Sequence, residues 1–182
     1  MTDIQAAKDL LASAELIHSA EVVTTAVGRV ATEITVKLGG TNPLLLCVMS
    51  GGVPFAGQLM MHLNFPLDFD YMHVTRYGQD KSGGALSWRS APWTPVKGRT
   101  LLVVDDILDE GLTLAAIVER MMQHGAKACF TAVATEKQNG KEKPIKADFV
   151  ALTVPDRFVF GFGMDIYGAW RNLPAIYAVK EK

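Results

Sequence analysis

The sequence predicts an α/β protein built on a twisted, mainly parallel sheet flanked by helices. Three observations predict it. Leu44–Met49 (LLLCVM), Leu101–Val104 (LLVV) and Ala128–Thr135 (ACFTAVAT) are continuous apolar runs, the pattern of strands buried on both faces. The first two runs are each followed by a turn and a stretch of helical periodicity, as right-handed parallel crossovers require. Chemistry-bearing residues gather just beyond the carboxyl ends of these runs, where open α/β sheets place their ligands.

With 182 residues, 49% hydrophobic and 20% charged, the chain is expected to be one domain with a substantial core. A formal charge of -1 gives no basic excess for nucleic acid, and no apolar run is long enough to span a membrane. The start MTDIQAAKDL is unlike a signal or transit peptide. Cys47 and Cys129 each lie inside an apolar run and are expected as buried thiols, which fits a reducing cytoplasm.

Taken in order, Asp3–Ser13 reads as a short amphipathic helix. Ala20–Leu38 reads as a longer one, capped by Ser19 and stopped by Gly39-Gly40. Leu44–Met49 leads into Ser50-Gly51-Gly52-Val53-Pro54 and a helical stretch over Phe55–Leu63, a strand–turn–helix whose amides can hold an anion. Leu67–Val74 is a further strand. After it, Thr75–Pro95 loses periodicity and holds three Gly and two Pro, so a long loop acting as a lid is expected there. Leu114–His124 is an amphipathic helix ended by Gly125, and Asn139–Lys146 is a polar, Lys-rich connection. Val150–Val154 and Phe158–Phe160 read as short strands around Pro155-Asp156.

The densest chemistry lies in Arg99–Thr113 (RTLLVVDDILDEGLT). Asp105, Asp106, Asp109 and Glu110 are four carboxylates within six residues at the mouth of a buried strand, suited to sugar hydroxyls, a divalent cation or a proton. Gly111, Leu112 and Thr113 open a helix, where backbone N–H groups and the helix dipole favour a phosphate. One short loop thus has a hydroxyl-binding half and a phosphate-binding half, a receptor for a sugar phosphate.

VVDDILDEGLT resembles the phosphoribosyl-diphosphate (PRPP) signature of the type I phosphoribosyltransferases, and Asp109, four residues after Asp105, is similar to the 6-oxopurine branch, the hypoxanthine-guanine enzymes. The resemblance runs from about Leu44 to Val179. It implies transfer of a 5-phosphoribosyl group from PRPP to N9 of hypoxanthine or guanine, with Mg²⁺ as cofactor and pyrophosphate released. It also implies a core over residues 40–136, a small hood from both chain ends (about 1–20 and 137–175) and a flexible loop over 76–95.

By the same resemblance, Asp105 and Asp106 hold the ribose hydroxyls, and Asp109 to Thr113 (Asp109, Glu110, Gly111, Leu112, Thr113) hold the 5′-phosphate. Asp109 also acts as general acid/base at N7. Ser50, Gly51 and Arg171 meet pyrophosphate, and Arg76 and Tyr77 begin the flexible loop. Lys137 recognises the 6-oxo group, Phe158 stacks on the base, and Val159 bonds it through the main chain. Asp165 holds Mg²⁺ beside the base site, with Asp105 and Asp106 as further metal ligands. Two positions depart from the family pattern: relatives usually carry Lys or Arg where this chain has Ser50, and many have Ser where it has Arg76. A phosphoribosyltransferase for xanthine or another base, and a regulator sensing PRPP or nucleotides on the same fold, remain open alternatives. The resemblance implies no nucleic-acid or membrane partner and a homodimer or homotetramer.

Overall fold

The computed structural model describes residues 3–76 and 86–180. In chain order the elements are α1 (Ile4–Ser13), β1 (Glu15–His18), α2 (Ala20–Leu38), β2 (Leu44–Met49), α3 (Val53–Met60), β3 (Asp68–Arg76) and β4 (Leu86–Ser90). They continue as β5 (Thr100–Leu108), α4 (Leu112–Gln123), β6 (Ala128–Gln138), β7 (Phe149–Pro155), β8 (Val159–Phe160) and β9 (Ile176–Ala178). A six-stranded sheet has the order β4-β3-β2-β5-β6-β7, parallel throughout except for the antiparallel β3–β4 pair. A second, three-stranded antiparallel sheet, β1-β9-β8, is contributed by the two ends of the chain.

The apolar runs form strands because both of their faces are covered. Leu45, Cys47, Leu102 and Val104 point into one core with α2 and α3, while Leu44, Leu46, Leu101 and Val103 point into the other with α4. In α2 the buried residues Val23, Val27, Val30, Ile34 and Leu38 recur at three- and four-residue steps, forming one apolar stripe. Each such side chain contributes roughly 1.5–3 kcal/mol on burial. Ser19 Oγ accepts the Val22 N–H at 3.4 Å, and α2 stops at Gly39. The outer helix α1 buries no residue; Asp3 caps it, and the Trp170 indole N–H donates to Ala7 O at 2.8 Å.

Several boundaries move from their sequence-based positions. β5 does not stop at Val104 but runs through the acids to Leu108, because its ladder with β6 continues as Asp105↔Val133, Ile107↔Thr135 and Leu108↔Glu136. β6 likewise extends to Gln138. Helix α3 starts earlier and ends earlier than Phe55–Leu63, and α4 begins at Leu112. Within the stretch expected as an irregular loop, Leu86–Ser90 is a strand, paired to the free edge of β3. There the Arg120 guanidinium lies 4.2 Å from the centre of the Trp88 ring. Tyr77, expected at the start of the flexible loop, lies outside the described residues. No helix among the described residues is long and apolar enough to cross a membrane.

Candidate active site

The carboxyl ends of β2, β3 and β5 open into a cavity of about 430 Å³. Ser50, Gly51, Asp105, Asp106, Asp109, Glu110, Gly111, Thr113, Asp165 and Arg171 line it. An adjoining pocket of about 200 Å³ shares Asp106, Ile107, Asp109 and Asp165 and adds Lys137, Phe158, Val159 and Met164. Residues spread over more than a hundred positions thus meet at one sheet edge, where parallel topology brings the strand ends together. Leu112 differs from the others: it starts α4 with its side chain exposed, so only its backbone faces the loop. Arg76 ends β3, and Tyr77 lies outside the described residues.

The acidic pair sits on rigid backbone. Asp105 Oδ1 accepts the Asp106 N–H at 2.9 Å, and Asp106 Oδ1 accepts the Ile107 N–H at 2.8 Å. The buried Thr135 hydroxyl donates to Asp106 O at 3.0 Å. Asp106 is wedged between two glycine turns. A Cβ on Gly51 would lie 1.8 Å from Asp106 Oδ2, and one on Gly163 would lie 2.1 Å from Gly51 O. Gly163, at φ 103, can adopt a backbone that side-chain-bearing residues rarely take.

Burial, and then the charge of Asp106, push the Asp105 carboxyl well above its ordinary value of 3.8. Burial raises Asp106 too, against the pull of its hydrogen bonds and of Arg171. Two adjacent carboxyls that resist losing both protons form a site that gains from a cation or from hydroxyl donors. Behind them, burial and then the charges of Asp105 and Asp106 push the Cys47 thiol up to about 12. Cys129 is raised to about 12 as well, so both thiols stay protonated and unreactive, and both are free.

The phosphate half of the loop is built by Gly111, the N-cap of α4, at φ 80 with no side-chain cap on the helix. Backbone N–H groups and the helix dipole at such an N-terminus favour an anion. On the opposite wall, the Arg171 guanidinium donates to Gly163 O at 2.6 Å and to Asp165 Oδ1, and it stands 3.8 Å from Asp106 Oδ2. Asp165 Oδ2 accepts the Gly168 N–H at 2.8 Å. Among the described residues no three metal-ligating side chains converge. Hard carboxylate oxygens on Asp165 and on the acidic pair still suit Mg²⁺, which commonly uses one or two carboxylates and completes its shell with water and substrate phosphates.

In the smaller pocket Lys137 Nζ donates to Asp109 Oδ2 at 2.8 Å, and the Asn139 amide donates to Asp109 O and Oδ1 at 3.4 and 3.3 Å. Phe158 is 57% exposed and lines this pocket, within reach of a flat ligand. Sequence reasoning missed Gly163, Ile107, Met164 and Asn139. The GFG run at residues 161–163 was a usable signal, since Gly161 and Gly163 both take positive φ. Nothing local to Ile107 or Met164 marks them.

The sequence matches the phosphoribosyl transferase domain family over residues 13–167. It is 36% identical over 167 residues to the hypoxanthine-guanine phosphoribosyltransferase of Bacillus subtilis (strain 168), covering 91% of this chain and 93% of that protein. It is 37% identical over 150 residues to the enzyme of the same name from Lactococcus lactis, covering 82% of this chain and 81% of that protein. The fold superposes on a hypoxanthine-guanine phosphoribosyltransferase of Bacillus anthracis with a TM-score of 0.86 at 27% identity, over 91% of this chain and 98% of that one. An acidic strand end beside an uncapped helix, a glycine-packed turn against it and this match over most of the chain lead to one conclusion: the protein belongs to the phosphoribosyltransferase family, with the type I fold.

Proposed function

We propose that the protein transfers the 5-phosphoribosyl group of PRPP to N9 of hypoxanthine or guanine, releasing pyrophosphate and forming IMP or GMP in purine salvage. One observation carries this reading: the acidic pair Asp105–Asp106 and the uncapped N-terminus of α4 share a cavity that adjoins the Lys137–Phe158 pocket. The names of the hypoxanthine-guanine relatives support the choice of base.

Breaking the C1′ bond develops positive charge on the ribose ring, which nearby carboxylates stabilise, as in oxocarbenium-like glycoside chemistry. Asp105 and Asp106 hold the ribose hydroxyls, and the amides from Glu110 to Thr113, with Asp109, surround the 5′-phosphate. Ser50 and Gly51 offer the turn to pyrophosphate, and Arg171 supplies the charge that Ser50 lacks. Asp165 and the acidic pair would hold Mg²⁺, which would add to the neutralisation of the pyrophosphate. Asp109 moves the proton at N7. Lys137 donates to the 6-oxygen, Phe158 stacks on the base, and Val159 meets it through the main chain. A cytoplasmic homodimer or homotetramer is proposed. Phe69 and Tyr71, two residues apart on β3 and hence on one face, are exposed and offer apolar surface to a second copy.

The test is PRPP consumption with hypoxanthine, guanine, xanthine and adenine, each with and without Mg²⁺. Turnover with hypoxanthine and guanine that requires Mg²⁺ is expected. Binding of PRPP without turnover of any base would favour the sensing alternative, and preference for xanthine would move the base assignment.

A further inference from the structure

The connection 139–146 reads as a solvated Lys-rich loop, yet the Lys143 side chain is only 9% exposed. Burying an ammonium is costly unless its three N–H groups are met. Here all three are. Lys143 Nζ donates to Lys137 O at 2.8 Å, to Glu136 Oε1 at 3.1 Å and to Leu108 O at 3.2 Å.

Leu108 ends β5, and Glu136 and Lys137 fall in the last three residues of neighbouring β6. Leu108↔Glu136 is the final pair of the β5–β6 ladder, so beyond it backbone pairing no longer ties β5 to β6, while Lys137 and Gln138 stay paired to β7. Asp109 follows Leu108 directly, and Lys137 follows Glu136. The same connection grips the loop a second time, because the Asn139 amide donates to Asp109 and the side chains of Pro144 and Ile145 pack against Gly111.

We infer that Lys143 is a positioning residue for base recognition: its ammonium ties the ends of β5 and β6 together and sets the spacing at which Asp109 and Lys137 meet the purine. The inference rests on the base-site reading of those two residues given above. Of the PRPP contacts assigned above, Ser50–Gly51 and Arg171 lie away from Lys143, and the 5′-phosphate loop that starts at Asp109 is held in addition by α4 and by Pro144 and Ile145 beside Gly111. Its loss therefore acts on the base more than on PRPP.

The experiment measures steady-state kinetics of Lys143→Met with guanine or hypoxanthine varied at saturating PRPP, and with PRPP varied at saturating base. Expected is a fall in kcat/KM for the base of roughly tenfold to a hundredfold, the scale of a small misplacement at a reacting centre. KM for PRPP stays within about twofold, and the margin over adenine narrows. Equal losses toward both substrates, or no loss, would overturn the inference. If the lone Glu136 charge prevents the single variant from folding, Glu136→Gln/Lys143→Met removes both members of the pair and carries the same test. Failure of both variants to fold would assign Lys143 a purely structural role and overturn it too. Lys137→Gln is the control: unchanged base preference there defeats the base-site reading itself, independently of Lys143.

Discussion

Lys137 Nζ lies 2.8 Å from Asp109 Oδ2, so the residue assigned to the 6-oxygen and the residue assigned to N7 are one ion pair. Asp109 follows the end of β5 and Lys137 lies on neighbouring β6, 28 residues apart, and Lys137 is the more buried of the two. On a 6-oxopurine protonated at N7 the 6-oxygen accepts and the N7–H donates, so a paired ammonium and carboxylate present a donor and an acceptor side by side.

That pairing changes what substitution should show. Asp109→Asn keeps the volume and loses the base, and kcat should fall roughly 10²–10⁴-fold. Lys137→Gln should narrow the preference for 6-oxopurines over adenine, since an amide both donates and accepts. Because the two side chains touch, the double variant should deviate from additivity by about 0.5–3 kcal/mol in kcat/KM. Additive losses would show that the pair does not act as a unit.

Asp105→Asn/Asp106→Asn should abolish most turnover and raise stability at neutral pH. The folded pKa of the pair is raised above the ordinary 3.8, so the folded state binds more protons than the unfolded state as pH climbs from there. Wild-type stability is therefore complete below that value and declines as pH rises toward the folded pKa. The Asn variant lacks this decline. Thermal melts at pH 3 should coincide, and at pH 7 the variant should melt higher, by about 2–4 °C per kcal/mol of repulsion removed. A lower melting temperature at pH 7 would contradict the burial argument.

Gly163→Ala should destabilise the protein and impair PRPP use together. Its Cβ would meet Gly51 O at 2.1 Å from a backbone at φ 103, and strain of this kind costs about 1–3 kcal/mol before any clash is counted. Gly51→Ala drives its Cβ into the Asp106 carboxylate instead, so activity should fall with a smaller effect on melting. Denaturant titration and PRPP kinetics on both variants separate these outcomes.

Arg171→Met removes the cation that Asp106, Asp165 and Gly163 O share. Hydrogen bonds to charged groups are worth about 1.5–3 kcal/mol, so KM for PRPP should rise by roughly ten- to a hundredfold. Ser50→Lys on that background should recover part of the loss by returning a charge to the pyrophosphate turn. An unchanged KM in Arg171→Met would remove Arg171 from the pyrophosphate site.

The local sequence determined the strands and helices whose reasons are local. Leu44–Met49 and Leu101–Val104 are apolar at every position, so burial on both faces was their only stable fate. Ser19 and Gly39 bounded α2 because capping involves atoms a few residues apart. The run from Asp105 to Thr113 marked the site for the same reason: its acids and its helix start are contiguous.

Tertiary structure alone decided what depends on distant partners. β5 runs on through Asp105 and Asp106 because β6 supplies its ladder, and Leu86–Ser90 is a strand because β3 had a free edge. β1 pairs with β9 as Glu15↔Ala178, beyond the reach of any periodicity. The Lys137–Asp109 pair, the wedge of Asp106 between Gly51 and Gly163, and the burial of Lys143 against two strand ends were equally illegible in the chain. A residue's type states which bonds it can make; only packing brings the other half of each bond within reach.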